Sequence, residues 1–203
     1  MTMELVVYDA TAQVVISEYE ARHSGTSEFW KDSSVVPIRK VIKQHYIPEQ
    51  RHLCCYCRLP DSSLHGLDWD VEHIVAQSAH PRWMFLPENL AVACRECNSA
   101  KGAKEVLVDP TVAIYPTQSA GFHVVHPHFD DWRHHIIRDH LTYAARTPKG
   151  SWTIRECKLN RSVERDVGLR YPLSDSRYES LVRALLDEGK TLQDIASDLP
   201  DEI

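Results

Sequence analysis

The sequence predicts an α+β protein in which a strand–loop–strand–helix unit is braced at its open end by two cysteine pairs and flanked by helical segments. Three observations predict it. Cys54 and Cys57 form one Cys-x-x-Cys knuckle, and Cys94 and Cys97 form a second. Between the knuckles, residues 69–75 and 88–94 are short, apolar-rich and β-prone, separated by a loop that contains Pro81 and Pro87. After the second run, residues 95–104 have helix-forming composition and one glycine, so a short helix begins near Cys94.

The chain of 203 residues is 43% apolar and 26% charged, long enough for a sizeable core in one compact unit. It divides into a helical N-terminal segment (1–50), the braced unit (51–110) and a mainly helical C-terminal region (111–203). Seven glycines and 11 prolines exclude collagen-like and low-complexity chains. Apolar runs fall far short of the roughly 18 residues that cross a bilayer. Residues 1–10 carry Glu4 and Asp9 and no secretory pattern, so no membrane association and a cytoplasmic address are expected.

A net charge of −6 argues against binding nucleic acid unaided, because phosphate neutralisation dominates that affinity. The charge is unevenly spread. Residues 31–60 carry six cations against Asp32 and Glu49, whereas residues 161–203 carry six cations and ten acids. One end suits phosphates and the other a protein.

Four thiolates in two knuckles are the soft tetrahedral set that structural Zn²⁺ takes, and Cys54, Cys57, Cys94 and Cys97 are its expected ligands. The knuckles are separated by 36 residues, more than a plain zinc ribbon needs, so the insert carries the chemistry. Cys55 and Cys157 read as ordinary buried thiols.

Hydrolysing a phosphodiester requires an activated water and relief of charge on phosphate. Within the insert, neutral His73 suits a general base, and Glu72 and Asn98 are hard oxygen donors suited to Mg²⁺ or Mn²⁺. Adjacent strand residues point to opposite faces, so Glu72 and His73 share a site only if the strand ends or bends there. Taken singly, each is an ordinary surface, turn or helix residue; their joint occurrence in one zinc frame points to catalysis.

Cys54-x-x-Cys57, Glu72-His73-Ile74, Asn89-Leu90 and Cys94-x-x-Cys97-Asn98-x-x-Lys101-Gly102 together resemble the HNH endonucleases, the zinc-braced branch of the ββα-metal nucleases, over about residues 51–105. Glu72 stands where Asp is common, Ala76 where many members have Pro, and Asn98 where the last motif letter is often His. The resemblance implies a ββα-metal nuclease core and metal-dependent cleavage of nucleic acid, with DNA favoured over RNA. His73, Glu72, Asn89 and Asn98 would be catalytic, with Asn89 tying the loop and orienting His73. Lys101 and Lys104, one turn beyond Asn98, are candidate contacts to the nucleic-acid backbone. The competing class is a zinc-stabilised binding or interaction module without catalysis, which would not need Glu72, His73 and Asn98 together.

Upstream, helices are expected around residues 12–22 and 37–46, the second with Pro37 in its first turn. Trp30, Pro37-Ile38-Arg39 and Cys54-Cys55-Tyr56-Cys57 also resemble the small HNH proteins encoded beside an ATPase in Septu and retron anti-phage operons. That implies a defence effector working with a larger ATPase partner. Downstream, six histidines between His123 and His140, with Asp130 and Asp131, suit packing or groove lining better than a second metal, in a loop leading to an Asp-capped helix. Residues 152–155 read as a strand and residues 163–167 as a helix. Leu181 and Leu185, then Leu192 and Ile195, repeat at helical spacing in an acidic, amphipathic pair suited to docking on a protein or packing on the core.

Overall fold

The computed structural model describes residues 3–22, 24–60 and 69–167. The expected C-terminal helix pair lies outside the described residues. Helix α1 (Ala10–Arg22) starts where the Asp9 carboxylate accepts the Ala12 N–H at 2.8 Å, and it buries Ala12, Ile16 and Tyr19. Helix α2 (Val36–Glu49) carries Pro37 in its first turn, where the missing N–H costs nothing. Ile38, Ile42 and Tyr46 recur four residues apart and form its buried stripe.

Strand β1 (Trp69–His73) pairs antiparallel with β2 (Leu90–Cys94), Trp69 opposite Cys94 and His73 opposite Leu90. Helix α3 (Arg95–Lys101) begins at once, completing the strand–loop–strand–helix unit. Gly102 stops it at φ 51°, its N–H bonded to the Asn98 carbonyl at 2.8 Å. Such a left-handed turn favours glycine.

The C-terminal region differs from expectation in two places. Residues 152–155 are not a strand: they lie in helix α5 (Pro148–Glu156), which follows the short α4 (Trp132–His135). The β-prone Trp152-Thr153-Ile154 run is outweighed by a strong start, Thr147 Oγ1 accepting the Gly150 N–H and Pro148 at the first helical position. Strands β3 (Ile136–Asp139) and β4 (Thr142–Ala145) form a hairpin in a region expected to be mainly helical. Gly150 is where α5 rests on the last residue of α4, just before the hairpin: a Cβ there would lie 1.9 Å from the His135 carbonyl oxygen. Helix α6 (Arg161–Val167) ends the described chain, two residues longer at its start than expected.

One buried apolar cluster runs from Val6 to Leu159 across both expected boundaries, at 50 and at 110. Flank and centre are also stitched by hydrogen bonds. Tyr46 Oη donates to the Pro87 carbonyl, Trp132 Nε1 to that of Tyr56, and Tyr143 Oη to that of Cys57, at 2.8–2.9 Å. No helix among the described residues is long and apolar enough to cross a membrane.

Candidate active site and zinc centre

The first knuckle is a tight turn after α2, closed by the Cys54 N–H to the Leu59 carbonyl and the Arg58 N–H to the Cys54 carbonyl, both 3.0 Å. The second takes Cys94 from the end of β2 and Cys97 from α3. The four Sγ atoms lie within 4.8 Å of one another, Cys57 and Cys94 at 4.0 Å. A tetrahedral Zn–S shell at about 2.3 Å requires S···S separations of about 3.8 Å, so the residues fit structural zinc. Burial opposes ionisation of Cys54, but hydrogen bonds from the neighbouring cysteines pull its thiol well below the ordinary value. Sequence reading missed Arg161, whose guanidinium stands 3.5 Å from Cys97 Sγ and 3.8 Å from Cys94 Sγ while binding Glu96 at 2.7 Å. A four-thiolate zinc site is anionic, and this cation offsets its charge.

Strand β1 stays regular through His73, so its alternate residues part. Asp70 and Glu72 face α3. Glu72 is 1% exposed: its Oε1 accepts from Tyr56 Oη and from Lys101 Nζ, each at 2.9 Å. Lys101 is equally buried and also donates to the carbonyls of Ile74 (3.1 Å) and Gly102 (3.2 Å). Burial raises the Glu72 carboxyl above its usual value and outweighs the lowering by Lys101 and Tyr56. Asn98 meets Asp70 instead, donating from Nδ2 to Asp70 Oδ2 at 3.0 Å.

These contacts correct two expectations and bear on a third. Glu72 and Asn98 are not brought together as a divalent-ion pair, because the Glu72 oxygen is held by a buried cation and a phenol. Lys101 is enclosed and cannot reach a nucleic-acid backbone. Lys104 is tied by Nζ to Glu156 Oε2 and to the Glu156 carbonyl, both at 2.9 Å.

His73 faces the other way. Its Nε2 lies 3.0 Å from the Met84 carbonyl oxygen, an acceptor only, so Nε2 carries the proton and Nδ1 is left as the basic atom. Its ring meets Trp30 edge-on with centroids 4.5 Å apart. Burial, with the Lys101 charge adding to it, pushes its pKa down to about 4 despite the Met84 contact. The imidazole is therefore neutral across ordinary pH. Asn89, fully buried, locks the loop that holds it: Oδ1 accepts the Val75 N–H at 2.7 Å, and Nδ2 donates to the Val75 and Trp83 carbonyls at 3.1 Å. Trp83 adjoins Met84, so Asn89 fixes the carbonyl that orients His73.

Beside this face lies a groove of about 880 Å³ between α2 and the β1–α3 edge, lined by Trp30, Arg39, Lys40, Lys43, Asp70 and Asn98 among others. In the histidine-rich segment His126 and His128 are buried packing residues, whereas His123, His134 and His140 are exposed. His126 Nδ1 accepts the His128 N–H (3.2 Å) and Nε2 meets Tyr115 Oη (2.9 Å), while His128 Nε2 donates to the Leu90 carbonyl (2.7 Å). Among the described residues, the four cysteines are the one group of three or more such side chains that could share an ion.

Comparison with known proteins agrees with this geometry. The HNH endonuclease family model matches residues 54–104. The chain is also similar to the Septu protein PtuB of Bacillus thuringiensis, 30% identical over 93 residues, or 43% of this chain and 35% of that protein. It thus spans about a third of the length of that curated relative. Residues 54–104, from the first knuckle to just beyond α3, are thus the segment that matches the HNH endonuclease family, and a four-cysteine frame closes it.

Proposed function

We propose that the protein is a metal-dependent endonuclease that hydrolyses phosphodiester bonds, DNA more readily than RNA, with His73 as general base. The observation that carries this reading is the state of His73 inside the segment that matches the HNH model: neutral, its Nε2 proton given to Met84, no hydrogen bond to its Nδ1 among the described residues, and its ring against Trp30, which lines a groove rich in cations. A water in the groove would lose its proton to Nδ1 as it attacks phosphorus, a role worth about 10² to 10⁴ in rate. Asn89 is a positioning residue, acting through the Met84 carbonyl.

A divalent ion such as Mg²⁺ or Mn²⁺ supplies charge relief on phosphate in this class of hydrolysis. Of the pair expected to hold it, Asn98 borders the groove and Glu72 does not. The test is incubation of zinc-loaded, full-length protein with single- and double-stranded DNA and RNA, with Mg²⁺ or Mn²⁺. Cleavage that fails in the His73→Ala protein supports the reading. A folded, zinc-loaded protein that binds but never cuts is the zinc-stabilised module without catalysis.

The similarity to a Septu protein supports a role in anti-phage defence; a larger ATPase partner is our extension of that reading. The acidic C-terminal stretch, with Leu181, Leu185, Leu192 and Ile195, is the candidate docking segment. Removing residues 174–203 should abolish co-purification with an ATPase encoded beside it and leave the metal-dependent activity of the nuclease centre. Loss of neither would refute the docking role.

A further inference from the structure

The lysines expected to meet phosphate are spent on the fold, yet the domain borders a groove with unspent cations. We propose that this groove holds the phosphodiester backbone of a nucleic-acid strand and that α2, not α3, supplies the phosphate contacts. The inference deepens the nuclease reading and rests on it for the class of polymer.

Arg39 and Lys43 are one helical turn apart, about 6 Å along α2, and Lys40 lies beside them. Lys101, Lys104 and Arg161 are each closed by a carboxylate; among the described residues no ion pair engages Arg39, Lys40 or Lys43. Lys40 is exposed and the other two are half-buried, so their charges face the groove with part of their stems packed. Among the described lining residues Asp70 is the one carboxylate, and one of its oxygens already accepts from Asn98.

Trp30 adds a flat apolar surface of the kind on which nucleotide bases stack. The Arg39 guanidinium sits 5.7 Å from its ring centre, and the same ring touches His73. A strand gripped by α2 and stacked on Trp30 would therefore lie against the ring that packs on His73. Because the chain as a whole carries −6, attraction for phosphate must come from such a local patch and must be steeply salt-dependent.

The experiment is fluorescence anisotropy of short fluorescein-labelled single-stranded and duplex DNA with zinc-loaded, full-length protein, without Mg²⁺ or Mn²⁺ so that no cleavage intervenes. Lys40→Glu with Lys43→Glu should weaken binding by about tenfold or more and lower the salt slope by about 2, roughly one per lost phosphate contact. Lys40→Arg with Lys43→Arg should bind like wild type, and Lys104→Glu should shift binding less than about twofold. Zinc content and thermal unfolding check that each variant is folded. Unchanged binding in the charge-reversed protein, an equal loss in Lys104→Glu, or no binding by wild type at low salt would overturn the proposal. Binding that depends on α2 in a protein that cuts nothing with Mg²⁺ or Mn²⁺ would uphold the groove and refute the nuclease; cleavage by wild type with α2-independent binding would do the reverse.

Discussion

The two faces of β1 differ in what they do with charge. Toward α3, Glu72 and Lys101 cancel each other in a fully buried pair beside the zinc frame. Toward α2, His73 is kept uncharged while Arg39, Lys40 and Lys43 stay open to a groove. Neighbouring letters of one motif thus meet opposite surroundings, Glu72 a buried ion pair and His73 an aromatic contact with Trp30; on the function proposed above, the first serves the fold and the second the chemistry. A regular strand enforces the division, since side chains one residue apart cannot meet.

Breaking the zinc side should have the largest effect. Structural zinc contributes on the order of 10–16 kcal/mol in finger peptides, more than the whole stability of most domains. Cys57→Ser or Cys94→Ser should yield unfolded or insoluble protein, read by circular dichroism and metal analysis; well-folded protein without bound zinc would refute the frame. Breaking the chemical side should leave the fold. His73→Ala should retain zinc and unfold cooperatively while cleavage falls by about 10² to 10⁴, and cutting at the wild-type rate would remove His73 from its role.

Removing half of the buried pair sharpens the contrast. Lys101→Met strands the Glu72 carboxylate and should cost about 3–5 kcal/mol in urea unfolding, whereas a phosphate-contacting lysine would be lost at little cost in stability. The smallest effect is on pH. His126 and His128 are held well below and below the ordinary histidine value by burial, so the native state stays neutral where the unfolded chain takes up protons. Their contribution is intact above about pH 6.5 and lost as pH falls below it, by up to about 1.4 kcal/mol per histidine per pH unit. Cleavage by the folded protein should decline only as pH approaches about 4, where His73 protonates. An acid limb near 6.5 would mean that His73 is not buried as described.

Local signals in the sequence carried far. The cysteine spacing, the proline-led start of α2 and the two β-prone runs are properties of neighbouring residues, and the elements formed within about three residues of where these placed them. What failed was non-local. Lys101 sits three residues after Asn98, where a helix would commonly meet solvent, but α3 has only seven residues and is wedged against β1, so Lys101 finds Glu72, 29 positions earlier. Asp70 carries no signal until Asn98 is folded onto it. The β3–β4 hairpin was hidden because its turn runs through His140 at φ 51° without the glycine or asparagine that would announce it.

The division of labour across β1 is tested most directly by cleavage with the double variant Glu72→Gln, Lys101→Met, which removes both buried charges and keeps an acceptor for Tyr56. If Glu72 serves the fold alone, the variant folds, binds zinc and cleaves within about threefold of wild type, because a buried pair replaced as a whole costs little. A folded, zinc-loaded double variant whose cleavage has dropped by about 10² or more would show that Glu72 works with His73 after all and would contradict the account.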